Sequence, residues 1–416
     1  MDFTRRNTWL KTFLGLVTAA VLIVGGVGIA AAATPTYATD MATEASWIVN
    51  SAQANCPTSS ADGAIAQSVL PSAPPSTIDP YRGNIDSYTA NYAAIGLLAA
   101  GPTYYGNVTR WVKWYMNHLN WPDATGQYAT VYYYDVSYDP NTHSCTETAI
   151  QNYDAQDAWA ATYLTLLAAW AKVDPADATP FIQTWAYQID AIANAAVALL
   201  QPSGLTGAKS TDTAQYLMDN SEVVQGLNAY AWLADNILGD QTLASYWSSR
   251  AADINAAIGS QLWGQCGPGF YCNAYGDGPG SWIACLPAQS GNTNYEHFWD
   301  SGLTGMAQAW PTLAHVSPPN SSANSSAIFA SLSAYCPSWV NGTLPTPSSA
   351  PEYPQGSDSG IGLAAALAGS TADAQLWYAA AKSVWTTNHT WPWTVQSSGD
   401  FIRTANLLSG GTDPVP

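Results

Sequence analysis

Apolar residues recur at three- and four-residue intervals along most of this chain, with Pro-, Ser- and Gly-rich stretches between the periodic segments. The pattern predicts about twelve helices: Asp40–Gln53, Asp86–Ala100, Tyr104–Leu119, Asn152–Lys172, Ala178–Leu200, Thr213–Leu238, Gln241–Leu262, Tyr295–Ala309, Ser325–Tyr335, Ser357–Leu367, Thr371–Trp385 and Asp400–Leu408. Alternating positions are scarce. One short strand is expected at Val131-Tyr132-Tyr133-Tyr134, inside the polar and aromatic loop Trp121–Thr148. Most helices fall into pairs split by a short turn, such as Asp174-Pro175, and the longer loops lie between pairs. Six antiparallel pairs predict an all-α (α/α)6 toroid, an inner ring of helices inside an outer ring. An open helical solenoid is the architectural alternative. The single domain is expected to span residues 40–410.

In a toroid, the N-terminal ends of the inner helices meet at one rim, and that is where polar residues interrupt the apolar pattern. In Tyr216–Asp235, Leu217, Val224, Leu227, Ala231, Ala234 and Leu238 bury one side, while Asp219 and Glu222, three residues apart, share a face. Asn220 stands between them and has an amide for a hydroxyl group. Tyr153–Tyr163 repeats the figure with Asp154 and Asp157. Asp86, Glu296, Asp300 and Asp358 also sit at or near expected helix starts. An Asp there is commonly a cap, which suits Asp86, Asp358 and Asp154 and leaves Asp157 as the inward-facing acid. Asp219 and Glu222 can equally be read as a capping-box-like pair. Tyr88, Tyr132, Tyr133, Tyr134, Tyr153, Trp159, Tyr216, Tyr295, Trp299 and Tyr353 fall near the same helix starts, and His297 is the best placed of the histidines. Each aromatic alone reads as core. Together with acids and amides they suit a sugar, whose C–H face packs on a ring while polar groups take its hydroxyls.

Composition narrows the partners. The chain has 11 basic and 29 acidic residues and a formal charge of −18; taking away Asp2, Arg5, Arg6 and Lys11 of the N-terminal segment leaves 8 and 28. A surface this acidic repels phosphate backbones and argues against nucleic acid. It suits a neutral polar ligand or an acidic medium. Arg5, Arg6 and Lys11 precede an apolar run from Thr12 to Ala32, with an A-x-A site at Ala31-Ala32-Ala33. Residues 1–33 therefore read as an export signal or, given the length of the run, an uncleaved anchor that would tie the chain to a cell surface. The exported part keeps six cysteines, Cys56, Cys145, Cys266, Cys272, Cys285 and Cys336, enough for three disulfides, with at least one local bridge expected in the Gly-rich loop holding Cys266, Cys272 and Cys285. Sequons occur at Asn107, Asn320, Asn324, Asn341 and Asn388. No complete calcium loop, zinc spacing or phosphate loop is present, so no cofactor or metal is expected.

Six helical hairpins, an export segment, the YDxxD helix start (Tyr153, Asp154, Asp157) and the MDNxE start (Met218, Asp219, Asn220, Glu222) followed by Gly226-Leu227 resemble the secreted six-hairpin glycosidases, the (α/α)6-barrel glycoside hydrolases. The resemblance covers the chain after about residue 40. It implies hydrolysis of a polysaccharide or oligosaccharide by a pair of carboxyl groups, with Glu222 as general acid, Asp157 or Asp219 as base and Asp154 beside them. Asp86, Tyr88, Tyr133, Tyr153, Asn220, His297, Trp299 and Tyr353 would line the substrate cleft. Two alternatives stand: a non-catalytic glycan-binding or surface-layer protein, and a polysaccharide lyase. A lyase would need positive charge for uronic acids, and this chain has little.

Overall fold

Helix α2, Ser87–Ala100, is buried along nearly its whole circumference from Ser87 to Leu98, which only a helix enclosed on all sides achieves. The computed structural model describes residues 36–69, 84–139, 141–142, 144–264, 281–282, 285–286, 309–316, 329, 337–341, 359–384, 386–387, 389 and 393–416. Residues 37–416 form one compact unit.

Helices α4 (Gln156–Val173) and α7 (Leu217–Leu233), and the shorter α9 (Ser359–Leu367), are enclosed in the same way as α2. These helices and α11 (Val395–Leu408) pack side by side in the order α4–α7, α2–α4, α9–α11 and α11–α2. Helical residues 309–313 stand between α7 and α9: Gln225 Nε2 donates to the Leu313 carbonyl at 2.8 Å, and Trp310 lies against Gly360. That closes an inner ring of six, and the chain is an all-α toroid. Outside it, α3 (Tyr105–Asn117) packs on α2, α5 (Pro175–Thr184) and α6 (Ala186–Val197) on α4, α8 (Gln241–Ala257) on α7 and α10 (Thr371–Val384) on α9.

The sixth pair is not sequential. The outer partner of α11 is α1 (Tyr37–Trp47), so the first described helix completes the hairpin of the last. A buried polar chain fastens them. Trp393 Nε1 donates to Ser398 Oγ, which donates to Glu44 Oε2, each at 2.7 Å, and His389 Nε2 lies 3.0 Å from Glu44 Oε1.

Inner helices touch backbone to backbone where glycine removes the side chain. A Cβ on Gly226 of α7 would stand 2.5 Å from the Ala161 carbonyl oxygen of α4, and one on Gly96 of α2 would stand 2.4 Å from Gly399 Cα of α11. These contacts set α7 close against α4 and α11 close against α2, at the density cores require.

The aromatic loop differs from its sequence reading. The strand expected at 131–134 is instead a hairpin of β2 (Tyr134–Asp139) and β3 (Ser144–Ala149), extended on the far edge of β2 by the two-residue β1 (Asn84–Ile85). Only Val136 and Cys145 are buried along it, so the apolar alternation that marks a strand is nearly absent. Cys145 forms a disulfide with Cys56, 89 residues away. The local bridge expected among Cys266, Cys272 and Cys285 lies outside what is described. Closing so long a loop restricts the unfolded chain, so replacing both cysteines by serine is expected to lower the unfolding free energy by about 2–4 kcal/mol. Denaturant titration of the double variant measures it.

Candidate active site

Parallel packing of α2, α4 and α7 brings their N-terminal ends to one rim. Asp86 caps α2 by accepting from the Tyr88 amide at 3.0 Å. Asp157 occupies the first turn of α4, whose N-cap is Ala155, so Asp154 lies before the helix and caps nothing. Asp219 is in the first turn of α7 and Glu222 in the second. The N-cap of α7 is Tyr216, with no side-chain cap bond, which sets aside the capping-box reading of these two acids.

Five carboxyl groups thus act on one another. Asp86 feels Asp154; Asp157 feels Asp154; Asp219 feels Asp157, Glu222 and Asp154; Glu222 feels Asp157. The positive ends of three helices offset part of this repulsion. Burial is the larger influence. It pushes Glu222 up to about 8 and Asp157 and Asp86 up to about 7, against hydrogen bonds that favour their charged forms. Asp219, although part of its surface stays open, is held well above the usual carboxylate range, first by lost solvation and then by its acidic neighbours.

The five differ in what they touch. Glu222 is 1% exposed, and its Oε1 accepts from Tyr88 OH at 2.6 Å, Tyr92 OH at 2.6 Å and Trp310 Nε1 at 2.8 Å. Its Oε2 is buried with no hydrogen-bond partner among the described residues. Asp157 is equally buried; Oδ2 accepts from Thr206 Oγ1 at 2.6 Å and Oδ1 from the Ala158 amide at 2.9 Å. Asp219 keeps part of its surface open and has no hydrogen-bond partner among the described residues. Asp154 faces solvent, its side chain 78% exposed, 4.0 Å from Lys209 Nζ.

Asn220 is fully enclosed and bonds only to the chain itself. Its Oδ1 accepts from the Thr206 amide at 2.7 Å and Oγ1 at 3.1 Å, and its Nδ2 donates to the carbonyls of Thr206 and Tyr216. It ties the 206 loop to α7 and, through Thr206, sets Asp157.

Aromatic groups surround the acids. Tyr153, Trp159 and three alanines form a small apolar cluster apart from the main core, with Tyr88, Tyr132, Tyr133 and Tyr216 packed on it. Tyr133 meets Trp159 edge-on at 4.8 Å, and Tyr132 stacks along Tyr153 at 6.2 Å. Tyr153 OH donates to Asp123 Oδ2 at 2.8 Å. Asp123 also takes two backbone amides and two threonine hydroxyls, so it organises the whole 121–130 loop. Sequence reading passed over Asp123, Thr206, Tyr92 and Trp310. Only Tyr92 carried a signal, one turn after Tyr88 on the same helix face. Tyr295, Glu296, His297, Trp299, Asp300, Tyr353 and Asp358 lie outside the described residues.

No protein-family profile matches the chain. No curated protein sequence matches it either. Solved structures do. A structure described as "Glycosidase E178A" superposes with a TM-score of 0.57 at 14% identity, over 90% of this chain and 98% of that one. An alpha-amylase from Clostridium perfringens gives 0.54 at 8% identity, over 90% and 98%. A beta-1,3-1,4-glucanase from Paenibacillus sp. X4 gives 0.50 at 11% identity, over 90% and 93%. At these identities the likeness is one of fold: the chain is built on the helical toroid of solved glycosidases.

Proposed function

We propose that this is an exported glycoside hydrolase acting on a neutral polysaccharide or oligosaccharide at the α2–α4–α7 rim. The observation that supports it best is the convergence of five carboxyl groups beside an aromatic cluster, with one acid, Asp219, both raised in pKa and without a hydrogen-bond partner among the described residues. The glycosidase fold supports the same reading. So does the Cys56–Cys145 bridge, which an oxidising compartment permits. Among the described residues no helix is long and apolar enough to cross a membrane.

The chemistry divides by accessibility. A group that protonates the glycosidic oxygen must reach it and must hold a proton at working pH. Asp219 meets both requirements, whereas Glu222 and Asp157 are enclosed. Asp219 donates its proton to the leaving oxygen as the C–O bond breaks. Asp154, solvent-facing on the neighbouring helix start, is the partner carboxylate: it either takes a proton from the attacking water or bonds to the anomeric carbon before water does. Glu222, locked by three donors, and Asp157, locked by Thr206, are positioning residues that brace the rim around Asp219. Tyr88 and Tyr133, both half-buried, offer ring surface to the sugar, Tyr153 backs them from the buried cluster, and Asp86 shapes the floor as the α2 cap.

The test is release of new reducing ends from a panel of neutral polysaccharides between pH 3 and 8. New ends without an ultraviolet-absorbing unsaturated product support hydrolysis. An unsaturated product means a lyase, and an intact panel that the protein nevertheless binds means a glycan-binding protein.

A further inference from the structure

A second feature lies outside the inner ring, along α6. Between the 121–130 loop and α6 there is an open depression of ≈ 470 Å³. Its walls carry Trp121, Tyr128 and Tyr187, which are 45%, 53% and 73% exposed. They are in contact as a group: Trp121 meets Tyr128 edge-on at 5.5 Å and Tyr187 at 5.9 Å with a tilt of 54°. Large aromatics this exposed are costly unless something covers them. The floor is made by alanines of α6, which leave flat room against the rings.

The polar groups in the depression are fixed by bonds to the chain. Asp190 Oδ1 accepts from Tyr230 OH at 3.2 Å and Trp247 Nε1 at 3.3 Å. Asn194 Nδ2 is tied to Asp190, to its carbonyl at 2.8 Å and Oδ2 at 3.1 Å, which leaves the Asn194 carbonyl oxygen for an outside donor. Gln127 Oε1 lies 3.5 Å from Gln156 Nε2. Among the described residues no lysine or arginine lines the depression, so none of them would hold a phosphate, sulfate or uronate.

We propose that this depression is a second, non-catalytic carbohydrate site that holds a neutral glycan chain beside the cleft. Exposed rings in contact, a shallow bed of alanines and fixed amide and carboxylate acceptors match the alternating C–H faces and hydroxyl edges of a sugar. Gln156 joins the two places: its Nε2 also donates to the Ala195 carbonyl of the depression at 3.0 Å, and the next residue is Asp157 of the rim. A polymer long enough to reach both would be held at one and cut at the other. The site rests on the carbohydrate reading of the chain and not on which acid performs the chemistry.

Affinity electrophoresis through gels cast with starch, pullulan, dextran, mixed-linkage β-glucan, xylan or galactomannan tests it. The Asp219→Asn chain keeps the polymer intact during the run. That chain is expected to be retarded by at least one polymer, and adding Trp121→Ala with Tyr187→Ala is expected to weaken retardation about tenfold or more. In the otherwise unaltered protein the two aromatic substitutions are expected to leave kcat on short oligosaccharides within about twofold while raising KM for the polymer. Equal retardation with and without the two rings overturns the proposal, as does no retardation by any polymer. Retardation that depends on the rings, in a protein that releases no reducing ends, upholds this site and overturns the hydrolase reading.

Discussion

Replacing Asp219 by asparagine is expected to lower kcat on a polysaccharide by about 10²–10⁴-fold, the range a positioned general acid contributes. Asparagine has the size and shape of the aspartate but no proton of suitable acidity to donate. The fold should not suffer. Asp219 has no hydrogen-bond partner to lose among the described residues, and Asp157, Glu222 and Asp154 all act against its charge. The thermal midpoint is therefore expected to stay level or rise, as happens when a strained functional group is removed. KM should change little, because the interaction lost is made in the transition state. Glu222→Gln is the informative contrast. The glutamine oxygen still accepts from Tyr88, Tyr92 and Trp310, so the scaffold around Asp219 survives and activity should fall far less. A collapse of activity in Glu222→Gln with none in Asp219→Asn would exchange the two roles.

Stability is expected to fall steadily between about pH 4 and pH 8. In the unfolded chain, aspartates and glutamates lose their protons near pH 4. In the folded chain Asp400 holds its proton to about 6, Asp86 and Asp157 to about 7, and Glu222 to about 8, each chiefly because of burial. A raised folded-state value means that the native state binds more protons than the unfolded state across that window, so the unfolding free energy declines as pH rises. The stability these groups contribute is complete below the unfolded value and is lost as pH passes the folded one. Each contributes a slope of up to about 1.4 kcal/mol per pH unit while its folded form stays protonated and its unfolded form does not. Asp123 and Glu147 run the other way. Hydrogen bonds hold them below their ordinary values despite burial, so their contribution is lost in stronger acid. Denaturant midpoints at unit pH steps should therefore peak near pH 4–5. Glu222→Gln should flatten the upper part of the decline; a midpoint that climbs from pH 4 to 8 would contradict the buried acid cluster.

The same acids account for what could be read in the sequence. The pair Asp219/Glu222 was legible because three-residue spacing on a helix fixes which side chains share a face; Asp154 lies before α4, so spacing alone did not join it to Asp157. The division of labour among them was not, because it depends on partners far off in the chain. Trp310 reaches Glu222 across 88 residues and Tyr92 across 130. Thr206, which sets both Asp157 and Asn220, comes from an irregular loop with no periodicity to read. Asn220 between two acids looked like a hydroxyl ligand; its burial and four internal bonds make it a brace. The toroid itself was legible from paired amphipathic segments. Its closure by α1 on α11 was not, since Glu44 and Ser398 are 354 residues apart and nothing local marks them as neighbours. The β2–β3 hairpin escaped notice because both of its faces are largely polar.

The central claim, that the α7 rim acid protonates a sugar leaving group, is tested most directly by varying that leaving group. The Asp219→Asn chain is compared with the unaltered protein on the cleaved oligosaccharide and on a nitrophenyl glycoside of the same sugar. Nitrophenolate departs without a proton, so the account predicts a fall of about 10²–10⁴-fold on the oligosaccharide and a rate within about tenfold of the original on the nitrophenyl glycoside. An equal fall on both substrates, or no fall on either, would contradict it.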